Sequence, residues 1–323
     1  MLDLGSKFDA QRIQRQISKS STESICTQFC QTTFLDYHEE SGDSSVLPEY
    51  LVGEESGIKF VFPFNEDKDS DDSARIVSHS GSPYSGLCID SSDPEIIKSA
   101  YSRVFTWFED SRPNFSEIEV RLPPKILAES VSSHEWALWS LAFRVEAMYF
   151  GRYLNPKTPS SYNRNRRRRL SKLTVNNFNL KTTSTPTQEA YEILVRNRMD
   201  RHAARPVHSI HDFEVIEDAN PGTLKTFLLC HGQEPCSTAV IFADDDFSTI
   251  QYLAGSECSF TCGSQDYLVD RVISEAREAD KKLLFGTSTI PTSDHREMNS
   301  GLDIYKHSFG GLPYTAGRFI KRK

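Results

Sequence analysis

The proton chemistry open to this chain starts with His202 and His208, two imidazoles that titrate near neutrality and can act as bases. They stand in Arg201-His202 and Arg205-Pro206-Val207-His208, a short link where the plainer reading is a loop histidine satisfied by backbone. Earlier in the chain Arg166–Lys172 reads RRRRLSK. Clustered arginines such as Arg166 and Arg169 fork onto phosphates of a nucleotide sugar, coenzyme A or tRNA; otherwise they form a solvated helix face. Gln251 and Tyr252 begin QYLAGS and either orient a substrate from a strand or are that strand's outward and inward faces. In Ser78–Gly86, SHSGSPYSG, His79 and Tyr84 stand among small residues and a proline. Such a composition brings backbone close to a ligand or makes an ordinary turn.

A further group lies in Leu283–Gly311, LLFGTSTIPTSDHREMNSGLDIYKHSFGG. The apolar run Leu283–Phe285, ended by Gly286, predicts a buried strand, and Thr287–Met298 a polar loop. Asn299 then opens a helix with Leu302, Tyr305 and Phe309 on one face, and Gly310-Gly311 supply a left-handed stop. A strand feeding a loop and a helix N-terminus is where α/β proteins place ligands, because backbone N–H groups point into the opening. Ser288, Asn299 and Lys306 are therefore candidate substrate contacts. Lys306 is otherwise a helix-end lysine favoured by the dipole.

The elements that must position these residues are legible in part. Tyr50–Phe64 reads as two strands about a Glu-Ser-Gly turn. Asp93 caps a helix to Asp110, with Pro94 in its first turn and Ile97, Ala100, Tyr101, Val104, Phe105 and Phe108 on one face. Ile118, Val120 and Leu122 alternate as a strand. Ser133–Phe143 is predicted as a helix that buries Trp136, Trp139 and Phe143, and Val145–Leu154 as a strand. After the linker Asn155–Asn165, Thr185-Pro186-Thr187-Gln188 reads as a capping box for a helix with Tyr191, Leu194, Val195 and Met199 inward. Ser209 caps the next helix. Strands follow at Leu224–Cys230, Thr238–Phe242 and Phe247–Ala254, then a helix from Gly263-Ser264 and a last strand at Leu312–Ile320.

Bulk properties narrow the class. At 323 residues the chain predicts two domains, and 37% hydrophobic content is that of a globular protein. There is no apolar run long enough to span a membrane. The first residues, MLDLGSKFDAQRIQRQ, lack the apolar stretch of a secretory signal, which makes the cytoplasm the expected location. A formal charge of -8 argues against a general nucleic-acid binder. The seven cysteines lack zinc-ribbon spacing, so reduced thiols and no metal site are expected.

The stretches SHSGSPYSG, the arginine run, RPVHS at Arg205–Ser209, QYLAGS, FGTS and NSGLDIYKHSFGG, in this order, resemble the tandem GNAT-fold proteins related to the FemABX aminoacyltransferases. Many of those are acetyltransferase-like proteins of polysaccharide or cell-envelope loci. The resemblance, which spans most of the chain beyond about Leu47, implies a three-layer α+β architecture of two GNAT-like domains, 1–155 and 156–323; residues 1–45, polar and low in complexity at Ser18–Ser24, read as an arm. A coarse internal repeat agrees: each half runs strands, long helix, strand, shorter helix, strand.

The resemblance also implies an N-acyltransferase. Strands Thr249–Ala254 and Lys282–Phe285 would splay, so that backbone near Leu253 and Ala254 holds an acyl donor, and Gly263-Ser264 would face its phosphates. Asn299, Tyr305 and Phe309 resemble the setting of a tyrosine acid for the leaving group; the other reading of Tyr305 is packing. The implied donor is acetyl-CoA or another acyl-CoA, and the acceptor a small-molecule amine on a sugar or peptide precursor. Two departures stand out. Ser80 and Ser85 replace a proline and a glycine of the family's HPG-x-x-Y-G-G segment, and SECSFTCGS replaces the pyrophosphate loop. An aminoacyl-tRNA donor of Fem type, or a silent binding protein, are the alternatives.

Overall fold

A computed structural model describes residues 3–20, 25–27, 29, 31–35, 47–68, 74–78, 82–159, 161–173, 175–290 and 296–323. The chain forms two compact units. One is Met1–Tyr149 with Ile290–Glu297 and Tyr314–Lys323; the other is Phe150–Thr289 with Met298–Pro313.

In the first unit, strands β1 (Asp3–Leu4), β2 (Glu49–Glu55), β3 (Ile58–Lys68), β4 (Ala74–Val77), β5 (Cys88–Ile89) and β6 (Phe115–Arg121) precede β7, Arg144–Leu154. β2 and β3 form the expected hairpin, turned by Ser56 and Gly57 at positive φ. β4 and β6 are parallel, as a helical crossover requires. That crossover is Pro94–Ser111, whose first turn is held by Asp93 accepting from the Glu95 and Ile96 amides. Its buried face, Ile97, Ala100, Tyr101, Val104, Phe105 and Phe108, meets Phe60, Phe62 and Phe64 of β3. Fully burying each of the valine, isoleucine and phenylalanine side chains among them contributes roughly 1.5–3 kcal/mol.

The helix Val131–Ser140 departs from expectation. Trp139 is 70% exposed and Trp136 38%, with the Lys98 ammonium over the Trp136 ring, and only Phe143 joins the core. Its inward positions are taken by Val131, His134, Ala137 and Leu138. Part of the segment 1–45 is also structured, as the helix Lys7–Ser20.

The second unit carries β8 (Phe178–Thr183), β9 (Leu224–His231), β10 (Glu234–Ala243), β11 (Phe247–Gly255) and β12, Lys282–Thr287. They lie in the order β12-β11-β10-β9-β8, and the last residues of β7 pair with β12. β8 carries no apolar alternation beyond Phe178 and Leu180, which is why no strand is expected there. The helix Ser264–Glu278 covers one sheet face, packing Leu268, Val269, Val272 and Ile273 on Leu229, Ile241 and Ile250. The other face carries the helices Gln188–His202 and Ile210–Ala219. Thr187, not Thr185, caps the first of them, while Ser209 and Asp212 form a reciprocal capping box on the second.

Two further features differ from expectation. Cys236 and Cys258 are joined in a disulfide rather than held as thiols. The final strand β13, Leu312–Arg322, starts in the second unit but pairs with β6 of the first. The repeat itself is present: β4, long helix, β6, short helix, β7 in one half, and β11, long helix, β12, Ser300–Ser308, β13 in the other.

His134 makes the first unit sensitive to acid. It is wholly buried, its Nδ1 lies 3.1 Å from the Tyr101 hydroxyl, and burial pushes its pKa down to about 3 from 6.5. Below about pH 6.5 the unfolded chain takes up a proton that the folded chain refuses, so stability falls with pH until about 3. We expect His134→Gln to lose stability less steeply than the parent between about pH 6 and pH 4, by up to about 1.4 kcal/mol per unit. Urea unfolding at each pH measures this; parallel slopes would contradict it.

Candidate active site

β11 and β12 run parallel and pair Phe247 with Lys282, Ser248 with Leu283 and Thr249 with Leu284. The ladder stops there, although β11 continues to Gly255 and β12 to Thr287. Both strands bulge at this level. Against β10, Val240 faces Tyr252 and Ile241 faces Ile250, which leaves Gln251 as the extra residue. Against β7, the step from Leu284 to Thr287 matches the shorter step from Tyr153 to Gly151, and Gly286 at φ 70° supplies the left-handed backbone. A bulge bends its strand and sharpens its twist. Two neighbours bulged side by side therefore part instead of continuing their ladder.

The result is a wedge with Thr249 and Leu284 at its vertex and residues 250–255 and 285–287 as its arms. Across that opening neither arm has the other as a hydrogen-bonding partner. Backbone groups in such a mouth can hold an extended, carbonyl-bearing ligand. Thr249 Oγ1 at the vertex and Ser288 Oγ just past β12 are buried and lack a hydrogen-bond partner among the described residues. Orphaned buried hydroxyls of this kind ask for a ligand or water.

The helix Ser300–Ser308 closes on the end of β12. Asn299 caps it, accepting from the Leu302 amide at 2.9 Å. Phe309 of the expected stripe is in the core with Tyr305 packed on it, but Leu302 is exposed and the helix also buries polar residues, Asp303, Lys306 and Ser308. The reason lies in what it packs against. The Lys306 ammonium donates to the carbonyls of Gly286 at 2.8 Å and Thr287 at 2.6 Å, which belong to the parted end of β12. Asp303 accepts a fork from Arg152, two bonds of 2.8 Å. Burial lowers the Lys306 pKa to about 8, with the Asp303 charge opposing. Gly310 takes φ 85°, and a Cβ on Gly311 would stand 2.9 Å from the Lys306 carbonyl, so both glycines are required.

On the opposite side of β11, His208 Nδ1 lies 2.8 Å from the Tyr252 hydroxyl, next to the bulged Gln251. That hydroxyl also accepts the His208 amide at 3.4 Å. Burial raises the Tyr252 pKa and keeps the phenol protonated. The two residues, singled out separately in sequence, form one pair enclosed by Phe213 and Phe242. Thr249 shares the face of Tyr252, since their partners on β10 are Phe242 and Val240. His202 ends the helix Gln188–His202.

The residues expected to meet donor phosphates have other work. Arg166 is buried; its guanidinium pairs with Asp266, donates to Ser308 Oγ at 3.0 Å, and lies 4.1 Å from the Phe309 ring centre and 4.7 Å from that of Tyr305. Arg169, largely exposed, reaches the same carboxylate at 3.0 Å. Ser264 is wholly buried, with its hydroxyl 2.6 Å from that of Ser237. Gly263 turns at φ 72° under Leu173 and the short helix Glu257–Cys262, which stands in place of a phosphate loop. Asp266 in the first turn already supplies the negative charge that a helix N-terminus attracts. Sequence reading missed Asp266, because its partners come from a helix far away in the chain. Tyr305 lies beside it, and burial together with the Asp266 charge raises its pKa, so its hydroxyl stays protonated. Leu253 packs on the Ser264–Glu278 helix and Ala254 pairs with Thr238; both lie on the open arm of β11.

Among the described residues the first unit has no such opening at the matching place. β4 and β6 stay paired to Val77 and Glu119, and beyond them the Ser78 amide donates to the Glu119 carbonyl at 2.8 Å. Ser78 Oγ then accepts the Arg121 amide, and Ser85 binds both Arg121 and Ser78. Ser85 thus helps to zip the strands. Tyr84 is buried against Phe29 and hydrogen-bonded with Tyr314, its pKa raised by burial to about 12. His79 lies outside the described residues.

No protein-family model matches the sequence, and neither does any curated protein. Solved structures do match. FemX superposes over 100% of this chain and 97% of its own with a TM-score of 0.70 at 12% identity. The C-terminal domain of a putative lysylphosphatidylglycerol synthetase from Agrobacterium fabrum follows over 98% and 92%, with a TM-score of 0.57 at 10% identity. A tandem GNAT protein from the clavulanic acid biosynthesis pathway covers 100% and 98%, with a TM-score of 0.55 at 6% identity. The chain therefore has the two-domain GNAT fold of these proteins.

Arg166→Ala leaves Asp266 buried with only the exposed Arg169 as counter-ion. A stability loss of about 3 kcal/mol is expected, most of it recovered when Asp266→Leu is added. Denaturant midpoints of the two variants measure this, and a loss below about 1 kcal/mol would show that Arg166 is not the counter-ion that matters.

Proposed function

We propose that the chain is an N-acyltransferase that holds an activated acyl group in the wedge between β11 and β12 and passes it to a primary amine. The observation that carries this reading is the parting of those strands beyond Thr249 and Leu284, with a lysine at the open end of one arm. An amine attacking an ester or thioester builds negative charge on the carbonyl oxygen, and a fixed donor beside it lowers the barrier. An ammonium has three N–H donors. Lys306 spends two on Gly286 and Thr287, which leaves one for the acyl oxygen or the departing group. The His208–Tyr252 pair would take the proton released by the attacking amine. Tyr305 is the other acid candidate, protonated but facing a carboxylate.

The donor we favour is the alternative to acyl-CoA, an aminoacyl-tRNA of Fem type. Asp266 and the Glu257–Cys262 helix take up the helix N-terminus where the pyrophosphate of coenzyme A would be received. Arg164, Arg167 and Arg168 remain exposed on the neighbouring helix for a phosphate backbone. Acyl-CoA is the second reading, supported by the fold in general. The acceptor is an amino group on a sugar or on a peptide or cell-envelope precursor.

Retention of charged tRNA that weakens steeply with salt, with no saturable calorimetric response to acetyl-CoA, is the expected result. A saturable response to acetyl-CoA alone would reverse the choice of donor, and silence toward both would remove the transferase reading. Lys306 must be charged to act, so turnover should fall as pH rises through about 8. Lys306→Met should lose at least about tenfold in kcat, and Lys306→Arg should move the alkaline limb upward. A pH profile unaltered by Lys306→Arg would remove the lysine from the mechanism.

A further inference from the structure

Three sulfur atoms converge beside the wedge. Cys236 lies on β10, and Cys258 and Cys262 lie one turn apart on the helix Glu257–Cys262. Their Sγ atoms all stand within 4.8 Å of one another. Cys236 and Cys258 form the disulfide, and Cys262 is free. Cys236 is wholly buried, whereas Cys258 and Cys262 are both partly exposed. A disulfide alone does not call for the third sulfur.

The bond fastens a cover. Ser259 of the same helix sits where a Cβ on Gly255 would be, at 2.2 Å, so the helix is pressed onto the end of β11. Ser256 donates its amide to the Cys236 carbonyl at 2.8 Å and its hydroxyl to the same oxygen at 3.2 Å. On its outer side Phe260 is exposed under the Arg201 guanidinium. The Cys236–Cys258 bond ties the helix covalently to β10.

We propose that Cys236, Cys258 and Cys262 form a thiol–disulfide exchange site that latches the Glu257–Cys262 helix over the end of β11. The Cys262 thiolate attacks Cys258 Sγ, the Cys258–Cys236 bond breaks, and a Cys258–Cys262 bond forms. Cys236 leaves as a thiolate and takes up the proton that Cys262 gave to solvent, so no oxidant or reductant is consumed. A helix holds Cβ atoms four residues apart at about 5–6 Å, beyond a disulfide's reach, so the turn at 258–262 unwinds as the new bond forms and the segment is no longer tied to β10. Being partly exposed, the new bond is also the one that an external thiol can reach, which relays reduction to a buried sulfur. The latch would then control access to the donor end of the wedge, a consequence that rests on the acyl-transfer reading; the exchange itself does not.

The full chain is equilibrated in glutathione buffers of increasing reducing share, quenched in acid, alkylated and mapped by mass spectrometry. Two one-disulfide forms are expected in a ratio that does not change with the buffer, the Cys236–Cys258 form and a middle form with Cys258 joined to Cys262 and Cys236 alkylated, and three free thiols replace both as the reducing share rises. Cys262→Ser should lack the middle form and lose its disulfide to glutathione at least about tenfold more slowly. Limited proteolysis within residues 257–262 should be faster in Cys236→Ser than in the oxidised parent. Cys262 alkylated throughout with no middle form, equal reduction rates, or one equivalent of zinc held by the three reduced thiols would each overturn the proposal. None of these readouts uses acyl transfer, so a failed donor assay leaves them unaffected.

Discussion

Everything that makes the second unit a candidate enzyme depends on one broken ladder. Parallel strands gain by continuing their hydrogen bonds, so β11 and β12 part only because each is bent by an inserted residue at the same level, Gln251 in one and the turn through Gly286 in the other. Parting leaves polar backbone exposed inside the fold, and the cost is met locally. Lys306 takes two of the freed carbonyls, and Arg152 fixes Asp303 one turn earlier on the same helix. The polar residues buried by Ser300–Ser308 follow from that need. A wholly apolar face would have packed on a closed sheet and left the carbonyls unpaired.

The two units put the same order of elements to different use. In the first, Ser78 and Ser85 extend the β4–β6 pairing past the point where the second unit opens. Glu119 at that level is buried among Arg75, Arg121 and Arg318, a charge lattice in place of a cleft. A duplicated fold thus carries one candidate chemical centre, which matches the general rule that function resides in sites and not in folds. The long helix of the second unit is altered too. Its N-terminus is neutralised from within by Asp266 and clamped by Arg166. That choice removes an anion site and gives a rigid anchor to the arginine helix, Tyr305 and Phe309.

Histidine chemistry divides in the same way. His134 is buried with a tyrosine and held neutral, a structural role that costs acid stability. His208 also meets a tyrosine, but on the strand that forms one arm of the wedge and beside its bulge. Similar partners, differently placed, separate a core histidine from a candidate base. Sequence offers no means of telling the two apart.

Much of the fold was legible because it is written locally. Asp93, Ser209 and Asn299 cap the helices they precede, Ser56-Gly57 turns its hairpin, and the 3.6-residue spacing of Ile97 to Phe108 names its own buried face. The motif NSGLDIYKHSFGG also pointed to the correct helix and its glycine stop. What failed were the inferences that needed partners. Trp136 and Trp139 look like core until the sheet takes the other side of their helix, and Arg166 looks solvated until Asp266 arrives to neutralise it. Where a ladder opens depends on register between strands, and Arg152 meets Asp303 across 151 residues of chain. Periodicity and capping are properties of neighbours in sequence, so the sequence by itself determined the elements and their order. That these two strands splay was implied by the resemblance, but the level at which they part, the ligands of Lys306 and the His208–Tyr252 pair are properties of neighbours in space, and only the tertiary structure decided them.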